Sequence, residues 1–124
     1  MARGLAAAAV NGWLDSTFAT ANCYVKLHVG DPGAAGANNA AAGSTTRVQA
    51  TMAAASGGSK AMSSMASTWT NGGTSETLSD ISLWSAAAAG TFNGSAALTV
   101  NQAWASTNTF ALTSLSIAIT PIAA

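Results

Sequence analysis

From residue 23 onward the chain keeps alternating apolar and polar side chains, and that alternation limits the fold more than any other feature. Cys23, Val25, Leu27 and Val29 interleave with Tyr24, Lys26 and His28. This is the period-two pattern of a half-buried strand; wound into a helix, the same residues would scatter their apolar groups around the axis. Gly30-Asp31-Pro32-Gly33 stops the run, because proline and glycine supply turn dihedrals that a strand cannot continue. Further short runs follow at 47–52, at 61–65 with 68–70, at 78–85, at 91–99 and at 103–107. Near the end, Phe110 and Leu112 are out of phase by one residue with Leu115, Ile117 and Ile119, which predicts a bulge near Thr113-Ser114. Six to eight short strands predict a mainly β fold, a β-sandwich or jelly roll over residues 23–120.

One helix precedes them. Over residues 3–18 alanine dominates, and Leu5, Ala9 and Trp13 with Val10, Leu14 and Phe18 form an apolar stripe. Asp15-Ser16-Thr17 are poor helix formers and predict fraying at its end. Residues 34–46, rich in Ala, Gly and Asn, have no charge to keep them solvated, which predicts an arm or long loop lying on another surface. At 124 residues the chain is long enough for a single domain, 1–124.

Such a domain has a thin core. Ala, Ser, Thr and Gly account for 73 residues, and only 30 apolar residues remain once alanine is set aside. Small side chains gain little from burial at about 25 cal/mol per Å². Eight side chains carry formal charge: Arg3, Lys26, Arg47 and Lys60 against Asp15, Asp31, Glu76 and Asp80. Soluble domains normally carry about a quarter charged residues, so the deficit points to a surface covered by partners. Zero net charge without a basic patch gives nucleic acid no electrostatic footprint. No apolar run approaches the roughly 20 residues of a membrane helix. The six-residue apolar stretch after Arg3 is too short and too interrupted to read as a secretory leader.

Little in the chain suggests catalysis. His28, Asp31 and a serine could be drawn as a triad, but there is no Gly-x-Ser-x-Gly elbow. His28, on the polar face beside Lys26, is expected at the surface or an interface. Cys23, on the apolar face without a cationic neighbour in sequence, reads as a small buried hydrophobe. Four scattered carboxylates do not make an acid/base pair, and one His with one Cys does not make a zinc site. No phosphate-binding glycine loop opens a helix. The chain is therefore expected to be no enzyme and to carry no cofactor and no metal.

The segment Tyr24-Val25-Lys26-Leu27-His28-Val29-Gly30-Asp31-Pro32-Gly33 resembles the opening strand of a family of small tailed-phage virion proteins, the tail fibre or minor tail proteins frequent in phages of actinobacteria. The order that follows is similar too: Thr45-Thr46-Arg47, Trp69-Thr70, then Glu76-Thr77-Leu78 leading into Ile81-Ser82-Leu83-Trp84. Gly90-Thr91-Phe92 with Gly94-Ser95-Ala96-Ala97-Leu98-Thr99 and the closing Leu115-Ser116-Ile117-Ala118-Ile119 complete the likeness. The departure lies between Thr99 and Phe110, where the family has a short Gly/Asp turn and this chain has Gln102-Ala103-Trp104-Ala105-Ser106-Thr107.

That resemblance implies a non-enzymatic structural protein of a bacteriophage virion, assembled in the cytoplasm of the host bacterium. Two roles fit, a tail fibre or minor tail protein and a capsid decoration (cement) protein. No heptads or Gly-x-y repeats mark a fibrous shaft. The thin core and missing charges fit a homo-oligomer, with a trimer expected, contacting major capsid or tail proteins. The candidate interface residues are the aromatics Trp13, Phe18, Trp84 and Trp104, together with Asp31, Pro32 and Arg47 at the two ends of the arm. A rival reading is a carbohydrate- or ice-binding surface module, since Thr68-x-Thr70 and Thr107-x-Thr109 offer paired hydroxyls.

Overall fold

The structure, a computed structural model, describes residues 3–123. It is mainly β, with one helix near the N-terminus and a curled antiparallel sheet. Helix α1 spans Ala7–Thr17, and a 3-10 turn at Thr20–Asn22 leads into the strands. These are β1 (Tyr24–His28), β2 (Val48–Met52), β3 (Ser59–Met65), β4 (Trp69–Thr70), β5 (Glu76–Trp84), β6 (Phe92–Trp104), β7 (Thr109–Phe110) and β8 (Ser116–Ala118). Six of them form one sheet in the order β6-β5-β1-β2-β3-β8, while β4 and β7 pair as a separate two-stranded ribbon.

β1 lies inside the sheet, between β2 and β5, with Leu27 opposite Ile81 and Val25 opposite Val48. Its alternation has the expected result up to Leu27, with Cys23, Val25 and Leu27 fully buried, but Val29, just past the end of β1, is 39% exposed. The three buried residues join Val48, Ala50, Met52, Leu78, Ile81, Leu83 and Leu115 in one core closed by Trp69 and Trp104. Trp69 packs on Phe110, ring centroids 6.0 Å apart, and donates its indole N–H to Thr46 O. With so few large residues, these two indoles supply much of the volume that alanine cannot.

The helix begins four residues later than expected. Leu5 is drawn into an extended bridge with the C-terminal segment, its N–H donating to Pro121 O at 2.9 Å and its carbonyl accepting from Ala123 N at 2.8 Å. Val10 and Leu14 are the residues that α1 buries. Trp13 sits one residue round the helix from that row and is 52% exposed, so the predicted stripe is narrower than its sequence suggests. Polar groups fix the docking: Asn11 Oδ1 accepts from Gly58 N, and Asp15 Oδ1 accepts from Ala55 N and from the Lys60 ammonium at 2.6 Å.

Part of segment 34–46 pairs alongside the chain's own sheet, with Ala40 in an antiparallel bridge to His28. Ala41 N–H donates to Leu27 O, and Ala41 is fully buried. The Glu76 carboxylate accepts from Ala42 N and Gly43 N at 3.2 and 2.8 Å. Gly36 (φ +71°) needs its missing Cβ, because the Phe92 ring occupies that space.

The phase slip at residues 113–114 has a different cause from the expected bulge. Phe110 pairs with Trp69 in the ribbon, whereas Ser116 pairs with Ala61 of β3. The chain changes partners between them, so the slip marks a crossing from ribbon to sheet. Likewise, the two expected pieces at 91–99 and 103–107 are one 13-residue strand, β6, interrupted by a wide bulge.

Candidate functional site

The reactive side chains are sequestered. His28 is fully buried and not at the surface as expected, because the returning arm covers the face of β1 that its phase left polar. Its Nδ1 lies 2.8 Å from Asn38 O, a carbonyl that can only accept, so Nδ1 carries the proton. Nε2 then accepts from the Ser82 hydroxyl at 2.7 Å, and Ser82 Oγ accepts from Trp84 Nε1–H at 2.7 Å. Burial holds the imidazole below its ordinary pKa; Lys26 pushes the same way, while the Asn38 carbonyl and Asp80 oppose it. Ser82 is as buried as His28, so this His–Ser contact offers no path to a substrate. Its chemistry is that of a satisfied core network.

Cys23 is buried as expected, and burial pushes its thiol up to about 11, where it is neither nucleophile nor ligand. Among the described residues no group of three His, Cys, Asp or Glu side chains is arranged to hold a metal ion. No helix among them is long and apolar enough to cross a membrane.

The seven candidate interface residues scatter. Trp13 stands out from α1, while Phe18 is half-buried against the core. Asp31 is exposed at the turn, its Oδ1 accepting from Gly33 N at 2.8 Å. Pro32 and Trp104 are both buried within the chain, Trp104 in the core, so neither presents a face to a partner. Arg47 and Trp84 come together: the guanidinium stacks 3.9 Å from the indole centroid and donates to Ala86 O and Ala89 O. Trp84 also packs on Phe92, centroids 5.4 Å apart. This cluster pins the turn after β5, and it leaves Trp84 half-buried rather than waiting bare for a partner.

The two Thr-x-Thr pairs meet on the β4–β7 ribbon, where Thr70 stands opposite Thr109. All four threonines are exposed, but Thr107 has positive φ, so its side chain does not follow the pleat. Two strands of two residues do not make a repeated hydroxyl array.

Sequence reasoning overlooked the barest region. Ala96, Ala97 and Val100 on β6 are exposed, Val100 by 76%. Beside them a groove of about 570 Å³ runs between β6 and residues 110–116. The sequence does carry a signal for it: no Asp, Glu, Lys, Arg or His follows Asp80. Every charge lies in the first two-thirds of the chain, and several are committed internally, Lys60 to Asp15, Arg47 to carbonyls and Glu76 to amides.

The family model for the Podophage GP4 fiber I protein gp80 matches residues 1–120. No curated protein matches the chain.

Proposed function

The chain belongs to the podophage fibre I protein family gp80, a bacteriophage fibre family with a virion structural role, and from that premise we propose that it is a fibre subunit that works only as a homo-oligomer, a trimer, attached to the tail. The observation that carries the self-assembly is the distribution of charge. Arg47, Lys60, Asp15 and Glu76 bond to their own chain, and the 44 residues after Asp80 add no charge to the surface. A free-standing domain needs charged groups to remain apart from its copies. A subunit buried among copies does not, because Ser and Thr hydroxyls and apolar groups cross an interface at far lower desolvation cost than ions.

A non-enzymatic role accords with the family and with a His–Ser contact sealed from solvent. Tail attachment follows the fibre family; capsid decoration is the competing position. Immunogold labelling of intact particles with antibody against this chain separates them. Gold at the tail is the expected result, and gold over the head would move the protein to decoration. Unlabelled particles would overturn the virion assignment itself.

A further inference from the structure

β6 is a long edge strand without a charged residue. Among the described strands β6 pairs only with β5, so its outer edge has no strand partner. Ala97 pairs with Asp80 and Gln102 with Leu78, which leaves Leu98, Thr99, Val100 and Asn101 against Ser79 alone. The extra residues push outward as a bulge, with Val100 at 76% exposure. Natural edge strands are usually blunted by lysine, proline or brevity. Beside this bulge β6 has a second register shift at Asn93, and its 13 residues, FNGSAALTVNQAW, include no charge and no proline.

The groove lies directly beside this protrusion. Its floor includes Ile81 and Leu115, which are core residues, and its walls include Leu98, Phe110 and Leu112. One chain therefore presents an apolar knob and an apolar hole side by side. The geometry points to a second copy of this chain as the occupant, with the Val100 bulge of one copy seated in the groove of the next. This rests on the self-assembly reading above and specifies the surface that performs it.

Charge and area both favour a second copy. The residues that line such a contact come from 81–116, and none of them has an ionisable side chain, so no charged side chain is desolvated when they meet. β6 runs along the nine residues of β5, roughly 30 Å, and a contact strip about 10 Å deep covers roughly 300 Å². That is less than half of the ~800 Å² per partner in a stable interface, and the groove with residues 110–116 supplies further area. Val100 itself lines the rim of the groove, so knob and hole are neighbouring parts of one patch; a contact that seats one copy's knob in the next copy's groove is head-to-tail and closes into a ring when the rotation between neighbours allows.

Sedimentation of the full chain and three variants tests this. Val100→Lys puts an ammonium on the knob, Ala111→Trp plugs the groove at an exposed position, and Trp13→Ala removes the exposed helix aromatic. The wild type is expected to sediment as an oligomer. V100K and A111W are expected to weaken association by more than about tenfold, with unchanged far-ultraviolet circular dichroism, while W13A assembles as the wild type does. If the wild type assembles and V100K and A111W do so equally well, the surface is wrong and the self-assembly reading survives. Dissociation by W13A alone would move the interface to the helix. A wild type that stays monomeric at its highest soluble concentration would overturn both.

Discussion

The two flanks of the sheet meet solvent differently. On the β2–β3 flank, α1 covers the apolar side, and its polar groups are tied to the chain: Lys60 to Asp15 and Ala53 O, Asn11 to Gly58, Gln49 to Thr20 O. On the β5–β6 flank, the residues after Asp80 bring no charge, the edge has no strand partner, and a groove reaches down to Ile81 and Leu115. The first flank is complete within one chain. The second has the polarity and shape of an interior left uncovered.

Tryptophan substitutions give the largest expected contrast. Trp69→Ala or Trp104→Ala opens a cavity in the core and is expected to cost about 3–5 kcal/mol, read from denaturant unfolding. Trp13→Ala, at an exposed helix position, is expected to stay within about 0.5 kcal/mol. Equal losses at all three sites would erase the distinction between core and surface aromatics.

Glu76→Ala comes next. It strips Ala42 N and Gly43 N of their shared acceptor and is expected to cost about 1 kcal/mol. Faster hydrogen exchange should be confined to the arm and leave β6 unchanged. Exchange that quickened equally along β6 would show the two regions to be one unit.

The smallest effect concerns pH. Burial lowers the His28 pKa, so as acid is added the unfolded chain takes up the proton before the folded one. Its contribution to stability is complete above the ordinary value of 6.5 and is lost as pH falls from there through the lower folded value. Denaturant midpoints should hold steady from pH 8 to about 6.5 and then decline. His28→Asn should remove that slope. The Asp15 carboxyl, held below its ordinary 3.8 chiefly by the hydrogen bond from Lys60, gives way only in stronger acid. A slope unchanged in H28N would assign the acid loss to other groups.

How much was legible in the sequence depends on whether neighbours in sequence or in space decide the environment. β1 was legible because period-two alternation acts within seven residues, and Cys23, Val25 and Leu27 are buried as the pattern demands. The burial of His28 was not, since it needs residues 38–41 to fold back over the strand. Trp13 could be read both as part of the helix stripe and as an interface aromatic, and it stands exposed, because docking through Asn11 and Asp15 decides which row of a weakly amphipathic helix turns inward. The β6 surface escaped notice because its signal is a lack of charge over 44 residues, not a motif.

The most direct measurement is peptide-resolved hydrogen–deuterium exchange on the chain within intact particles and on the same chain at high dilution. Assembly is expected to protect residues 96–102 and 110–116 while leaving the arm at 34–46 and helix α1 as they were. Protection gained on α1 or the arm, with β6 exchanging equally in both states, would contradict the account.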